Sequence, residues 1–453
     1  MSSKSHEMDL CSGSLWKKIF VYSVPLMFTN ILQVLFNMSD VAVVGKFAGA
    51  IALGSVGSTS ILVTLFTGIL LGLASGVNAL TALHIGSKDD EGLKRTVHTA
   101  VIICLAGGIL ITVFGILFSH NILALMNTKD ELIDGAVLYL RIYLLGMPAL
   151  GLYNFGNAVL SAAGDTKRPL YYLAFAGVVN VILNLFFVIV CHLGVAGVAL
   201  ASMISQFISA FLILRALLTG KEKYCLRLSE IRFDKRKAVG ILQIGIPSAF
   251  QYSLFAFANL FVQSSVNSFD HVLVEGNSAA ANADPLVYDM MAAFYTACSS
   301  FIAQNFGARK KKRILQTYLI CLFYSFITSL VLGVGIYLAR YPFLYLFTSD
   351  KAVVEAGITR LSIMALSYIS SAFMDASIAA SRGLGKTAVP TFVVVMGSCV
   401  FRIIWIYTIF AYFHTIQSLY ILYVFSWGIT AIAENIYFFH VYRHTLTEKK
   451  ELC

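Results

Sequence analysis

Twelve apolar segments, each long enough to cross a lipid bilayer as a helix, limit what this chain can fold into. A spanning helix needs about 20 consecutive apolar residues, and in hydrocarbon the backbone must satisfy its own hydrogen bonds. Only 12% of the 453 residues are charged, whereas a soluble domain carries about 25% charge. We predict an all-α polytopic membrane protein with helices near 17–44, 51–84, 97–119, 131–162, 169–190, 194–218, 238–266, 272–304, 314–340, 352–381, 388–412 and 417–441.

The lysines and arginines predict which way these helices cross the membrane. The N-terminus, the even-numbered connections and the C-terminal tail hold 25 of the 33 basic residues. Because basic residues gather on the cytoplasmic side, we expect a multi-pass protein of the cell membrane with both termini cytoplasmic. Topology thus accounts for the formal net charge of +10. The basic run 309–313 is interpreted as a solvated loop near lipid, and we expect no nucleic-acid binding.

The second half of the chain repeats the first. Pro25 and Asn37 recur as Pro247 and Asn259 at an offset of 222 residues, and six further positions recur at 221. Because six helices is an even number, both halves enter the membrane from the same side. The predicted organisation is a cytoplasmic segment (1–16), an N-lobe (17–218), a basic linker (219–237), a C-lobe (238–442) and a cytoplasmic tail (443–453).

Asp40 is an acidic residue near the outer end of the first predicted helix. A charge in hydrocarbon costs at least about 2.5 kcal/mol, so it normally faces protein or water and marks a functional site. Asn180 and Asn184 of the fifth segment lie at a similar depth, at about 1.5 Å per residue, and Asn37 is one turn from Asp40. We expect these four residues to share a pocket that couples to a cation. A structural acid, hydrogen-bonded to a neighbouring helix, is the alternative.

Five charged residues within the predicted C-lobe helices form a candidate substrate or ion site: Asp284, Asp289, Asp375, Arg402 and Glu434. Arg402 overlaps in depth with Asp284 and Asp289, so an ion pair with one of them is expected. Asp375 and Glu434 lie in the cytoplasmic third, too deep to pair easily with Arg402. Structural ion pairing and a role in binding a cation or substrate both remain open for this set.

The chemistry-bearing motifs argue against an enzyme. The eight cysteines are scattered singly, without a CxxC pair, and no HExxH motif occurs. Gly385-Lys386-Thr387 resembles the end of a phosphate-binding loop, but Ala380 replaces the required glycine. Duplicated helical bundles usually bind substrate between the halves and work by rocking them. We therefore expect a secondary transporter without a cofactor. Its aromatic residues and carboxylates suit flat, lipophilic organic cations.

An ordered set of motifs resembles the multidrug and toxic compound extrusion (MATE) family over roughly 17 to 442. The motifs are NMSDVAVVG at 37–45, GDTKRP at 164–169, NVILN at 180–184, GVAG at 194–197 and AQNFGA at 303–308. The resemblance implies two six-helix lobes in a V. It also implies an antiporter that exports mostly cationic organic compounds in exchange for protons or sodium ions, and we expect it to act as a monomer in the bilayer.

The resemblance also implies roles for individual residues. Asp40 matches the helix-1 aspartate of the family's N-lobe cation site, and Asn180 matches an asparagine near it. Asn184 stands where many members have aspartate. Phe255 stands about where a sodium-coupled branch has a glutamate, and Asp375 lies about a turn from that branch's helix-10 aspartate. We therefore favour protons over sodium as the coupling ion. The rival function is a flippase or exporter of a lipid-linked or amphipathic metabolite.

Overall fold

The computed structural model of the chain describes residues 8–444. Within this part of the chain every regular element is helical. The elements are α1 (Leu15–Phe47), α2 (Ala50–Ser87), α3 (Asp90–Leu125), α4 (Asp130–Leu144), α5 (Met147–Ala162), α6 (Lys167–Leu185), α7 (Gly194–Thr219), α8 (Lys235–Val266), α9 (His271–Ala281), α10 (Ala283–Gly307), α11 (Lys311–Leu338), α12 (Arg340–Tyr345), α13 (Lys351–Gly383), α14 (Ala388–Val394), α15 (Phe401–Trp405), α16 (Ala411–Phe413) and α17 (Ile416–His444).

Short π-helical and 3₁₀ segments complete the element list. Phe186–Val190 extends α6 as a π-helix, while Val395–Val400 and Ile406–Phe410 join α14, α15 and α16 into one continuous helical span. A 3₁₀ turn, Leu228–Glu230, lies in the connection between α7 and α8.

The described residues include eleven helices that are long and apolar enough to cross a membrane, and α4 with α5 adds a twelfth if the bent pair counts as one span. This confirms the prediction of an all-α polytopic protein. The expectation of one uninterrupted helix over 131–162 is wrong, because the chain bends by 45° between α4 and α5. Pro148 lies in the first turn of α5, where a proline without an N–H group is tolerated and begins a new helix.

The contacts of the chain group it into two compact units. Phe28–Ala249 belongs to the first unit, whereas Leu10–Met27 belongs to the second, together with residues 250–444. The chain changes unit two residues after Pro25 and again two residues after Pro247, inside α1 and α8. A proline inside a helix removes one backbone hydrogen bond and clashes with the preceding turn, which allows the helix to change direction. The sequence-based lobe limits, 17–218 and 238–442, stay a prediction.

In the first unit, the beginning of α8 packs closely on α2. A Cβ atom on Gly72 would lie 2.3 Å from the backbone nitrogen of Ala249, and one on Gly76 would lie 2.3 Å from the carbonyl oxygen of Ile241. Two glycines four residues apart let two membrane helices approach backbone to backbone. A larger residue at either position would push α8 off α2.

In the second unit, the beginning of α1 packs on α10. The hydroxyl of Tyr22 donates to Oγ of Ser300 at 3.0 Å, and its ring meets Phe301 edge-on at 5.4 Å. The amide of Asn305 donates to the carbonyl oxygen of Leu10 at 3.2 Å. The segment that precedes α1 is therefore held on the same unit as the first turns of the helix.

Candidate functional site

Three helices of the first unit bring polar side chains to Asp40. Asp40 comes from α1, Asn180 and Asn184 come from α6, and Ser202 comes from α7. The two asparagines are four residues apart, so they lie on one face of α6. All four side chains are buried, and Asp40 is 8% exposed.

The carboxylate of Asp40 accepts hydrogen bonds from neutral donors. Nδ2 of Asn184 donates to its Oδ1, and Oγ of Ser202 donates to its Oδ2 at 2.8 Å. Nδ2 of Asn184 also approaches Oδ1 of Asn180 at 3.2 Å, and Nδ2 of Asn180 donates to Oγ of Ser202 at 3.4 Å. Among residues 8–444 no lysine, arginine or histidine pairs with Asp40. The site therefore contains an acid with no fixed counter-charge.

One oxygen of this cluster lacks a partner. Oδ1 of Asn184 is buried and accepts no hydrogen bond from any described residue. Buried polar atoms are usually hydrogen-bonded, and an exception calls for an explanation such as a bound ion or water. A carboxylate surrounded by amide and hydroxyl oxygens can take up a proton or bind a small hard cation.

Two tyrosines of α4 form the neighbouring wall. Tyr139 and Tyr143 interact electrostatically with Asp40, and their rings stack at 5.8 Å. Tyr139 is buried. Its ring packs in the same buried cluster as Val44, one turn after Asp40 on α1.

Asn37 does not join this cluster. Its side chain is exposed, and it makes no hydrogen bond to any residue in 8–444. Three residues of α-helix turn the chain by roughly 300°, so Asn37 and Asp40 point about 60° apart. Residues three apart can still share a helix face, so the spacing alone does not exclude Asn37. The structure leaves its side chain exposed and outside the pocket, and its expected place beside Asp40 was wrong.

Sequence reasoning missed Ser202 and the two tyrosines. Ser202 lies in an apolar helix that also carries Ser205 and Ser209, whose hydroxyls donate to carbonyl oxygens of their own helix. Serines in membrane helices commonly do this, so the sequence gives no signal that separates Ser202 from its neighbours.

The expected ion pair of Arg402 in the second unit is wrong. Arg360 is the residue that pairs with Asp284, through Nη2 at 2.7 Å and Nη1 at 3.3 Å. The hydroxyl of Tyr368 also donates to Asp284 at 2.5 Å. Arg402 instead donates to Asn259 and pairs with no carboxylate among residues 8–444. Depth along a helix does not fix the direction in which a side chain points, and Arg360 points toward Asp284.

Asp375 and Glu434 lie together, apart from that ion pair. Ser371 donates to Asp375 at 2.9 Å, and Asp375 interacts electrostatically with Glu434. Glu434 is fully buried, and neither of its carboxyl oxygens has a hydrogen-bond partner in the described chain. Asp289 is half-buried on α10. No hydrogen bond or ion pair among the described residues joins the five candidates into one site.

The sequence matches the MatE family model twice, over residues 25–186 and 247–408. The chain is 31% identical over 307 residues to the probable multidrug resistance protein YpnP of Bacillus subtilis, covering 68% of each chain. It is 22% identical over 353 residues to an FAD transporter of Shewanella oneidensis, covering 76% of this chain and 77% of that one. The fold resembles a transporter structure from Pyrococcus furiosus with a TM-score of 0.91 at 22% identity, covering 99% of this chain and all of that one.

Proposed function

This chain belongs to the MatE family of membrane transporters, and we propose that it is a secondary antiporter. It exports cationic or lipophilic organic compounds in exchange for protons, with sodium ions as the alternative coupling ion. It resides in the cell membrane with both termini in the cytoplasm and works as a monomer. The observation that carries this proposal is the buried carboxylate of Asp40, which is held by neutral donors and lacks a fixed counter-charge.

Asp40 is proposed to carry the coupling ion. An ionised Asp40 is satisfied by the donors of Asn184 and Ser202, whereas a protonated Asp40 must itself donate a hydrogen bond. The hydroxyl of Ser202 can turn and accept that bond, because a hydroxyl is both donor and acceptor. Loading and unloading a proton then requires only a small rearrangement. A coupling ion drives transport only if its affinity differs between the two orientations of the transporter.

The amide of Asn184 favours a proton over sodium. Its Nδ2 faces Oδ1 of Asp40 and Oδ1 of Asn180, and two acceptors on one side require the NH₂ group there. Sodium binding would need oxygens in that position, so Asn184 would have to turn its unpartnered Oδ1 toward the carboxylate. A proton needs no such change.

A rival function is export or flipping of a lipid-linked or amphipathic metabolite. One relative, 22% identical, is an FAD transporter, so the family match alone does not require cationic drugs as substrates. Arg402, which has no carboxylate partner within 8–444, favours this rival in part.

The proposal is tested with purified protein in proteoliposomes loaded with a fluorescent lipophilic cation. We expect the dye to move against its concentration gradient when a proton gradient is imposed, and to stop when a protonophore collapses that gradient. An imposed sodium gradient in the same vesicles tests the alternative ion. Vesicles without protein give the passive leak. Movement no faster than this leak under either gradient would refute the antiporter.

A further inference from the structure

Arg402 is a fully buried positive charge within the second unit. It lies on α15 with 1% of its surface exposed. Its Nη1 donates to Oδ1 of Asn259 at 2.9 Å, and its Nε donates to Oγ of Ser426 at 3.4 Å. The guanidinium lies 4.6 Å from the ring of Tyr423 and 5.8 Å from the ring of Trp427. Every contact of Arg402 is therefore to a neutral group.

The charge of Arg402 is not neutralised within the described chain. Asp284 is already bound by Arg360 and Tyr368, so it balances a different arginine. Nη2 of Arg402 donates to none of the described residues. Charged residues inside membrane helices are costly and usually pair with one another, with backbone carbonyls or with a ligand. A buried guanidinium without a carboxylate is therefore unexpected if its role is only structural.

The internal repeat allows the buried charges of the two units to be compared. The repeat offset is 222 residues at Pro25 and Pro247 and 221 at Pro169 and Pro390, so the part of α15 that carries Arg402 corresponds to the part of α6 near Asn180. The offset of 222 pairs Asp40 with Val262, a buried apolar residue. The first unit thus places an acid between its two repeat-related helices, whereas the second unit places a base there. The two units therefore carry a buried charge of opposite sign, on different helices of the repeat.

The environment of Arg402 suits an oxyanion attached to an aromatic group. A guanidinium offers a planar set of N–H donors that matches a carboxylate or phosphate. Asn259, which holds Nη1, has an exposed side chain, and Trp427 is half-buried beside it. The indole offers an apolar surface next to the charge. An anionic group entering here would give the guanidinium an ionised acceptor in place of a neutral amide oxygen and would allow two parallel N–H···O bonds.

We propose that Arg402, positioned by Asn259, binds the carboxylate or phosphate group of an aromatic substrate in the second unit. This inference rests on the proposed export function and adds a substrate class to it. The transported compounds include zwitterions, which carry an anionic group together with an organic cation, and compounds without an anionic group leave this site unused.

The test uses a rhodamine dye with a free carboxylate and the ethyl ester of the same dye. The two probes share one cationic ring system and differ only in the anionic group. Binding to solubilised wild-type protein is measured by fluorescence anisotropy. We expect the free acid to bind roughly tenfold or more tightly than the ester, as for a hydrogen bond to a charged group. An equal affinity for both dyes would overturn the proposal.

Two substitutions address Arg402 directly. Arg402→Gln removes the charge, and Asn259→Asp places a carboxylate where it neutralises the guanidinium. Both should bring the ratio of acid to ester affinity close to one. The control is Asn37→Asp, which adds the same carboxylate at the repeat-related position and should keep the wild-type ratio. Size-exclusion profiles and melting temperatures establish that each variant is folded.

The two proposals fail in different ways. A wild-type ratio that persists in both Arg402→Gln and Asn259→Asp would overturn the anion site, even if proteoliposomes export both dyes. If the ratio collapses in the two variants but proteoliposomes export neither dye, the anion site stands and the export function falls.

Discussion

Ser202 donates its hydroxyl to Oδ2 of Asp40 at 2.8 Å, although the two residues are 162 positions apart in the chain. This contact adds α7 to the cluster formed by α1 and α6. It gives the acid a partner that is able to reverse its role, because a hydroxyl donates to a carboxylate and accepts from a carboxylic acid. Ser202 is thus the residue that adjusts to the ionisation state of Asp40.

Ser202→Ala tests this contact. A hydrogen bond to a charged group contributes about 1.5–3 kcal/mol, so we expect gradient-driven dye export to slow by roughly tenfold or more. Ser202→Thr keeps the hydroxyl and should retain most of the rate. Ser205→Ala removes a hydroxyl that bonds only within α7 and serves as the control. Equal rates in Ser202→Ala and Ser205→Ala would remove Ser202 from the account.

The sequence predicted how deep each polar residue lies along its helix, but it did not predict the direction in which each side chain points. Residue counting placed Asp40, Asn180 and Asn184 at one level, and the structure brings them into hydrogen-bond contact. The same counting placed Arg402 level with Asp284, yet the two do not pair. Distance along a helix follows from the number of residues, whereas the direction of a side chain depends on how the helix rotates against its neighbours.

The division of the chain into two units was equally hard to foresee. The repeat identified Pro25 and Pro247 as equivalent. A proline can begin or bend a helix without moving it to another unit, so the sequence did not show that the chain changes unit just after each proline. The beginning of α8 belongs to the first unit because of tertiary contacts such as the approach of Ala249 to Gly72, and nothing in the local sequence of α8 encodes that partner. The break before Pro148 was readable in principle, since proline favours the first turn of a helix.

Asn184→Asp tests the effect of a second carboxylate beside Asp40, at the position where many members of the family have aspartate. Two carboxylates facing one another attract a cation more strongly than one, and the bound cation offsets their mutual repulsion. We expect sodium to raise the melting temperature of the variant more than that of the wild type, since a ligand that binds only the folded state stabilises it. Potassium at the same concentration is the ionic-strength control. An identical response of both proteins to sodium would contradict the view that Asn184 sets the preference for protons.

The ion pair of Arg360 and Asp284 should be structural. Arg360 is buried, whereas a third of the Asp284 side chain is exposed. Removing one partner of a buried pair costs about 3–5 kcal/mol, and the exposure of Asp284 lowers our expectation to about 2–3 kcal/mol for Asp284→Asn.

The double variant Arg360→Met with Asp284→Asn should recover most of that loss, because no charge is then left buried and unpaired. Thermal unfolding in detergent measures both proteins. A double variant that is less stable than Asp284→Asn alone would show that the arginine has another essential contact.

Asp89 lies outside the membrane-spanning helices, and its ionisation should make the stability of the protein depend on pH. Its carboxylate accepts the backbone N–H of Gly92 at 2.9 Å and caps α3. This hydrogen bond holds the pKa of Asp89 below its ordinary value, which is about 3.9. A group with a lowered pKa in the folded state stabilises the protein above its ordinary pKa, and this contribution is lost as the pH falls through the folded-state pKa.

Asp89→Ala should therefore lower stability by about 1 kcal/mol at neutral pH. Its difference from the wild type should shrink as the pH falls below the ordinary aspartate pKa of about 3.9. Asp89→Asn keeps a capping side chain without a titrating group, so it should retain most of the stability and lose the pH dependence. Melting temperatures across this pH range give the comparison. A deficit of Asp89→Ala that stays constant down to the lowest pH would contradict the assignment.

The central claim is that Asp40 couples an ion to transport. The most direct test compares wild type with Asp40→Asn in proteoliposomes, measuring uphill dye movement under an imposed proton gradient and dye-for-dye exchange without any gradient. Because the amide keeps the shape of the side chain but carries no titratable proton, we predict that exchange persists while uphill movement is lost. Uphill movement at the wild-type rate in Asp40→Asn would contradict the account and assign coupling to another acid.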